Sequence, residues 1–583
     1  MFGLRKLAFD ARSLQNHLTV ARAGSFLLAR DTLPAGVDVR HSHSGNDGNG
    51  TRSFKNFTYG LLAIAGVSSG FVLFKYLDDK RSQIIDTPKN DDVANEVQHS
   101  GDKSDSETKN DLSHPKVRSD LPTYRMTDVQ QHNSPEKGVW ITYGIGVYDI
   151  TKFVPQHPGG DKILLGAGSS VDPFWRTYQQ HNTKQVLELL ETFRIGNLNP
   201  EDEVGTKDLD SPWANEPKRH PVLKPAAETP FNAEPPLDIL VQKFITPVEF
   251  FYVRNHLPVP VIDEKSYELE IEVEGSEKTL TLSLDELKKM PKYSVTAAIQ
   301  CGGNRRSDMH AVKPVKGLSW GAAAIGNATW SGVRLRDVLK SMGVENDENK
   351  HVILEGHDLD PTAAPYAASI PLYKAMDERG DVLLAYEMNG KPLTRDHGYP
   401  VRAIVPGVVG SRNVKWLARV VVSDKESDSH WQQKDYKGFS PSTDWDTVDF
   451  SKSPAIQNLP VTSAICQPQP GEKVKVVDGF ITARGYAWSG GGNKIVRVDI
   501  TADGGKSWHV AELEQSDAHP GRHYSWTLWT IKIPVEEGKQ EVEIWAKAVD
   551  SNYNCQPETF ENTWNLRGVL SNAYHRVKVS LVR

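Results

Sequence analysis

Residues 200 to 235 read PEDEVGTKDLDSPWANEPKRHPVLKPAAETPFNAEP, with prolines at 200, 212, 217, 221, 225, 230 and 235. Proline-rich segments are extended and semi-stiff. A stretch of this composition predicts a tether rather than part of a core, and it divides the chain. A length of 583 residues predicts roughly three or four domains, and the tether sets where one boundary falls. A module carried on it could swing between two sites; a passive spacer would have the same composition. A second break lies upstream. From Asp78 to Thr123 there is no aromatic residue, and SGDKSDSETKND (100–111) is polar and charged. Such a segment cannot bury enough apolar area to offset its ordering entropy, so 78–120 is predicted to be a disordered linker.

The totals exclude some classes. Apolar residues make up 38% of the chain and there are 14 tryptophans, enough for real cores. The net charge of -7 argues against a nucleic-acid partner, which calls for a basic face. Three cysteines are too few for a disulfide framework.

The N-terminus reads as an address. Arg5, Lys6, Arg12, Arg22 and Arg30 stand against one acid, Asp10, among interspersed leucines and alanines. That basic, acid-poor character predicts a mitochondrial presequence over 1–55. Asn56 to Phe74 follows as 19 residues without a charge, flanked by Lys55 and Lys75, close to the roughly 20 residues a helix needs to span a bilayer. A presequence followed by a stop-transfer segment (56–77) would arrest the chain in the inner mitochondrial membrane, at least transiently. The remainder would face the intermembrane space. Cleavage is expected between about 77 and 120 by resemblance to bipartite presequences.

Order is predicted to begin at LPTYRMTDV and to run over 121–199. VWITYGIGVYDI alternates as short strands with a turn at Gly144, and KQVLELLETF has helical spacing. His157 precedes Pro-Gly-Gly, on a turn open to close backbone approach, and His181 stands just before the helix. Two histidines on separate turns could reach a planar macrocycle from both faces. An iron filled on both axial sites transfers electrons and binds no substrate. VYDIT-x-F-x₃-HPGG, the second histidine at this distance, and FRIGNL together closely resemble the cytochrome b5 domain. The resemblance implies haem b in an α+β fold, ligated by His157 and His181. No C-x-x-C-H is present for covalent attachment.

Beyond the tether, YELEIEVEG and KTLTLSL alternate as a β-hairpin, and SLDELKKM starts a helix with Ser283 as N-cap and Glu286 three residues on. YSVTAAIQ then leads as a strand into IQCGGNRRSDMHAVKPVKGLSW (299–320). Cys301 therefore sits at a strand end, where loops carry chemistry. By composition alone a free cysteine is more often a small buried hydrophobe. The two glycines open the backbone beside Cys301 to a ligand, and Arg305 and Arg306 would favour thiolate and attract an anion.

Between about 240 and 450 four motifs occur in order. They are FYVRNHLPVP; QCGGNRR with VKGLSW; LLAYEMNGKPLTRDHGYPVRAIVPGVVGSRNVKW; and HWQQKDYKGFSPSTDW. They closely resemble the sulfite oxidase family, whose molybdenum module eukaryotic nitrate reductase shares. The resemblance implies a molybdopterin cofactor in a mixed α/β domain over 236–450, with Cys301 as a thiolate ligand of molybdenum, a metal suited to sulfur. Matched position by position, the pterin would be held by Phe251, Tyr252, Val253, Arg254, Asn255, Cys301, Asp358, His397, Arg402, Asn413, Val414 and Lys415. The substrate wall would be Arg254, Arg306, Trp320, Tyr436 and Arg567, with Lys316 close by. Clustered guanidiniums suit a small oxyanion. Arg305 keeps no role in this scheme, and an internal salt bridge is its expected use.

From 451 to 583, VVDGFITARGYAWSGG, NKIVRVDITADGGKSWHVAEL, HYSWTLWTIKIP, QEVEIWAKAVD and HRVKVSLV alternate between glycine-rich turns. Six or seven strands at this spacing predict an immunoglobulin-like sandwich, which the family resemblance makes the homodimerisation domain and the source of Arg567. Cys466 and Cys555 are expected to be buried thiols. The fold class is thus multidomain α+β. The activity implied is oxidation of sulfite to sulfate at molybdenum, with electrons passed through haem b to cytochrome c. A nitrate reductase is the alternative. That family places the haem module after the molybdenum domain and adds a flavin module; here the haem module precedes and the chain ends with the sandwich. A membrane-tethered haem carrier with an inert large domain would not be expected to keep Cys301 and the arginine set.

Overall fold

The computed structural model describes residues 115–157, 159–178, 181–202 and 212–583. The presequence, the uncharged segment 56–77 and the linker up to residue 114 lie outside the described residues. Among the described residues no helix is long and apolar enough to cross a membrane. All of them fall within one compact unit, Glu107–Arg583.

The first module is built on the predicted hairpin. Gly138–Tyr143 and Gly146–Asp149 pair antiparallel around Gly144, whose φ of 50° is the left-handed turn that glycine permits. Arg194–Leu198 and Thr123–Tyr124 extend the sheet on one side and Asn133–Ser134 on the other. Alternation buries Val139 and Ile141 against Tyr148, Ile150, Trp175 and Leu190. The helix Lys184–Glu191 starts where Thr183 Oγ1 accepts from the Val186 amide (3.3 Å), a standard N-cap.

The central domain holds two five-stranded sheets. One runs Thr279–Ser283, Glu268–Val273, Leu417–Ser423, His351–Leu359, Pro365–Pro371, and the predicted hairpin is its edge. The predicted helix is Leu284–Lys289, with the Ser283/Glu286 capping box formed. The other sheet pairs Tyr293–Gln300 with Ile325–Arg334, and that strand with Leu383–Met388, which also carries Arg402–Ile404. Both sheets end at one place. Cys301 follows Tyr293–Gln300, Asp358 lies on His351–Leu359, Arg402 opens Arg402–Ile404, and residues 413–416 lead into Leu417–Ser423.

The C-terminal domain is a sandwich of a four- and a five-stranded sheet. Its core is Ile465, Ile481, Trp529 and Ile533 from one sheet against Val498, Ile500, Ile544 and Val577 from the other. Three of its strands, Lys473–Lys475, His509–Val510 and Glu512–Glu514, are two or three residues long and lie at sheet edges. They take the total above the six or seven expected, because such short strands carry no alternation to detect.

Two expectations need correction. The tether is not free up to residue 235. Lys224–Ala227 and Asn232–Glu234 form a three-stranded sheet with Val253–Arg254. Arg219 reaches across 177 positions to pair with Asp396 (2.8 Å), and Glu234 accepts from the Gly321 and Ala323 amides (2.7 and 3.0 Å). Proline is tolerated in edge strands and turns, so its density does not by itself mark a free segment. Cys466 is buried as expected, but Cys555 is exposed, on the turn that returns to bridge Val549.

Candidate functional site

In the first module the rings of His157 and His181 face each other, nearly parallel at 7°, with centroids 6.1 Å apart. That is too far for rings in contact. Two iron–nitrogen bonds of about 2 Å on opposite faces of a macrocycle require a separation near this, so the pair fits a haem. His181 Nδ1 donates to the Tyr178 carbonyl (2.8 Å), which leaves Nε2 as the ligand atom. Trp175 stacks on the same ring (5.2 Å). A Cβ on Gly159 would lie 2.8 Å from His157 Cε1, so glycine there admits the imidazole.

In the central domain a cavity opens at Cys301, a concave site of the kind that holds cofactors. Its lining includes Phe251, Tyr252, Arg254, Asn255, Cys301, Asp358, His397, Arg402, Asn413, Val414, Lys415 and Tyr436, which brings together most of the residues predicted from 250 to 436. Val253 does not join them. Its side chain packs with Leu223, Phe231 and Ala233, because alternate residues of a strand face opposite ways. The lining also includes His256, Tyr366, Ser411, Asp396 and Trp416, which the sequence reasoning did not select. His256, Ser411, Asp396 and Trp416 sit inside motifs already quoted, which is the signal that could have found them. Tyr366 lies outside every motif.

The cavity is short of negative charge. Arg402 is buried and donates only to carbonyls, those of His397 (3.0 Å), Asn413 (2.9 Å) and Ala403 (3.5 Å), and burial pushes its guanidinium down to about 10. Burial likewise brings Lys415 down to about 7 and His397 down to about 4. Lys415 donates to Asn255 Oδ1 and to the Asp396 carbonyl. Burial pushes the Asp358 carboxyl well above its usual range, and its Oδ1 has no partner, nor has Ser411 Oγ. Buried polar atoms left unpaired are costly. Unpaired acceptors and donors beside under-neutralised cations fit an anionic, heteroatom-rich cofactor such as a pterin phosphate. Gly398 sits at φ 101°, and a Cβ there would come within 2.9 Å of Arg402 and 3.1 Å of Lys415; glycine lets these two cations close on one turn. Among the described residues no group of three or more His, Cys, Asp or Glu side chains is arranged to hold a metal. Cys301, a single buried thiol, suits a metal that arrives with other ligands.

The predicted substrate wall is split. Arg254 is half-buried in the cavity, donating to Asn232 Oδ1 (3.1 Å); burial opposes its charge, and Tyr436 and Cys301 more than offset that. Tyr436 lines the cavity, hydrogen-bonded through its hydroxyl to His256 Nε2 (2.8 Å), and burial raises the phenol to about 12. Trp320 does not line the cavity; it is fully buried, and its Nε1 has no partner. Arg306 and Arg567 do not line the cavity. Arg306 donates to the Gly568 and Leu318 carbonyls (3.0 and 2.9 Å). Arg567 is held by Asp435 (2.6 Å). Burial works against the charge of Asp435, yet Arg567 and His430 keep its carboxyl far below the usual range. Lys316 is exposed, its amine over the Trp445 ring (4.3 Å). Arg305 makes the expected internal contacts: Asp308 (2.8 Å) and the Ser463 and Ala573 carbonyls (3.1 and 2.7 Å).

Three family profiles match these regions in order: a cytochrome b5-like heme/steroid binding domain over 125–199, an oxidoreductase molybdopterin binding domain over 256–431, and a Mo-co oxidoreductase dimerisation domain over 453–582. The mitochondrial sulfite oxidase of Drosophila melanogaster is 62% identical, over 93% of this chain and 93% of the relative. The chain belongs to the sulfite oxidase family. The human mitochondrial sulfite oxidase is 53% identical, over 78% of this chain and 84% of its own length. The nitrate reductase of Solanum lycopersicum, 36% identical, aligns over 62% of this chain but only 41% of that protein. Among solved structures, the sulfane dehydrogenase SoxCD of Paracoccus pantotrophus superposes with a TM-score of 0.51 at 26% identity, over 62% of this chain and 87% of that one. Membership of the sulfite oxidase family brings molybdopterin to the central domain and haem to the first module.

Proposed function

We propose that sulfite is oxidised to sulfate in the cavity at Cys301 and that the electrons leave through the haem at His157 and His181 to cytochrome c. The chain is a molybdenum-dependent sulfite oxidoreductase, mitochondrial as its relatives are named, and its sandwich domain is of the dimerising type. We place it in the intermembrane space, with 56–77 engaging the inner membrane at least transiently; the basic N-terminus and the uncharged segment support this.

The observation that carries the reading is a single thiol at a cavity where Arg254, Arg402 and Lys415 meet only two carboxylates, Asp358, whose charge burial opposes, and Asp396, which is already paired with Arg219. Bound molybdopterin supplies oxygen transfer and two-electron chemistry at its metal, and haem b carries single electrons. The protein's part is positioning and electrostatics. Cys301 would be the protein's ligand to the metal. Arg402, Lys415 and His397 would meet the phosphate end of the pterin, and Asp358, whose charge burial opposes, would turn its unpartnered Oδ1 toward the ring. Arg254 would hold the sulfite anion over the thiol. Tyr436, kept protonated, would donate to an anion oxygen when His256 Nε2 carries the ring proton and donates to the phenol oxygen. Arg306 and Arg567 would act from just outside, keeping the rim cationic.

The test combines metal analysis with a choice of substrates. Purified protein is expected to contain molybdenum and iron, to reduce cytochrome c with sulfite, and to show no reduction of nitrate. Nitrate turnover without sulfite turnover would overturn the reading.

A further inference from the structure

Lys162 is used by nothing described above, yet it is not a free surface lysine. It stands on the short turn Gly160–Gly166, directly after His157 and its glycines. Its amine lies 5.7 Å from the ring centre of Tyr178 in its own module and 5.0 Å from that of Trp431 in the central domain. Both separations fall within cation–π range. Burial pushes the amine down, against the pull of Asp435 and Asp360, while Arg567 and Arg254 push in the same direction as burial. A lysine placed there is held between two modules and faces the carboxylate that holds Arg567.

The contacts continue on both sides. On the haem side, the Tyr178 carbonyl accepts from the axial His181 (2.8 Å), and the Tyr178 ring packs against the core of the central domain. On the cavity side, Trp431 lies 4.9 Å from Tyr366 and 5.9 Å from His256. His256 is hydrogen-bonded to Tyr436, which lines the cavity. A second tie, from Trp213 Nε1 to the Arg176 carbonyl (2.7 Å), joins the proline-rich segment to the haem module.

We propose that Lys162 is the positioning residue by which the haem module docks on the central domain, and that Tyr178, Trp431 and His256 continue this contact from His181 to Tyr436 at the cavity. The proposal rests on the reading that electrons pass from the cavity to the haem. A small cation-centred contact suits docking that must form and release, because charge steers the encounter and fixes its register more than it adds affinity. Trp431 and Tyr366 supply a packed, dry connection behind it. HWQQ thereby gains a role that the substrate wall did not give it: its tryptophan receives the docking lysine.

The test uses the full chain with both cofactors and the variants Lys162→Glu, Lys162→Met and Lys162→Arg. Haem reduction by sulfite in a single turnover is expected to slow about tenfold or more in Lys162→Glu, severalfold in Lys162→Met, and by less than about twofold in Lys162→Arg. Sulfite turnover with a small artificial acceptor, KM for sulfite and the haem spectrum stay as in the parent. Hydrogen exchange gives a readout independent of turnover: amides of 431–436 and 174–178 are expected to exchange faster in Lys162→Glu. Parent-like haem reduction together with a parent-like exchange pattern in Lys162→Glu would overturn the proposal. So would a parallel loss of turnover with the artificial acceptor, which would place Lys162 at the substrate instead. If sulfite fails to reduce the haem even in the parent, the electron-transfer reading falls, and exchange at 431–436 alone then upholds or rejects the contact.

Discussion

The haem pocket and the molybdenum cavity are assembled in different ways. His157 and His181 stand on neighbouring turns of one small module, and the groups that orient them, Gly159, Trp175 and Tyr178, come from the same segment. The cavity at Cys301 draws its lining from residues 251 to 436. It also depends on residues that never touch it: Glu234 clamps the backbone beyond Trp320, Arg219 holds Asp396, and Arg305 ties the cysteine loop to the sandwich. A site made of local segments can form alone and be carried on a tether. A site made of distant strand ends exists only when the whole domain is folded, and its cations are buried by that folding rather than by their neighbours in sequence.

The comparison predicts that each site can be emptied without the other, and the largest effects follow from that. Cys301→Ser is expected to lower sulfite turnover by roughly a thousandfold, the scale of losing a group at the reacting centre, while the haem spectrum is unchanged; parent-like turnover would remove the thiolate assignment. His181→Ala should abolish the haem spectrum and cytochrome c reduction yet leave turnover with a small artificial acceptor intact. Equal loss with both acceptors in a folded protein would show that the sites are not separable. Arg402→Met, which removes a buried cation without changing the haem module, should weaken retention of molybdenum about 10- to 100-fold, as lost partners of a bound metal group do, measured as metal content after dialysis.

The smaller effects test stability of the long-range site. His575 accepts from the Ile465 amide (3.0 Å), and burial holds its ring down to about 4, as it does His397. These groups stay neutral in the folded chain and take up a proton in the unfolded one. Between about pH 6.5 and 4 the unfolded state therefore binds more protons, and stability falls with falling pH by about 1.4 kcal/mol per unit for each histidine. Denaturant titrations over that range should show the slope, and His575→Gln should remove one histidine's share of it, leaving that of His397. Glu234→Gln removes one charge-assisted clamp and should cost about 1–2 kcal/mol, read as a fall of a few degrees in the melting of the central domain with little change at the haem.

Much of both sites was legible before any coordinates. VWITYGIGVYDI and the Ser283–Glu286 box are local signals, and both elements form where alternation and capping put them. Cys301 at a strand end followed from YSVTAAIQ alone. Most of the lining from 251 to 415 is legible because its residues sit in long ordered motifs; Asp358 lies outside them and was expected from the position-by-position family match alone. The Val253 side chain packs away from the cavity, because a motif does not say which face of a strand a residue takes. Tyr366 was missed because it stands outside every motif, and Cys555 was read as buried because type says little about exposure on a turn.

Composition and motif order by themselves determined that this chain has a bis-histidine module, a break, a cysteine-centred domain and a β-sandwich, since those signals are periodicity, turn chemistry and spacing along the chain. Only the tertiary structure decided that the proline-rich segment folds back from Trp213 onward, that Arg567 is held by Asp435 outside the cavity rather than in it, and that Lys162 meets Trp431. Each of these is a contact between residues more than a hundred positions apart, or a proline stretch whose partners lie elsewhere. Their geometry is set by the packing of whole sheets, which no local pattern records.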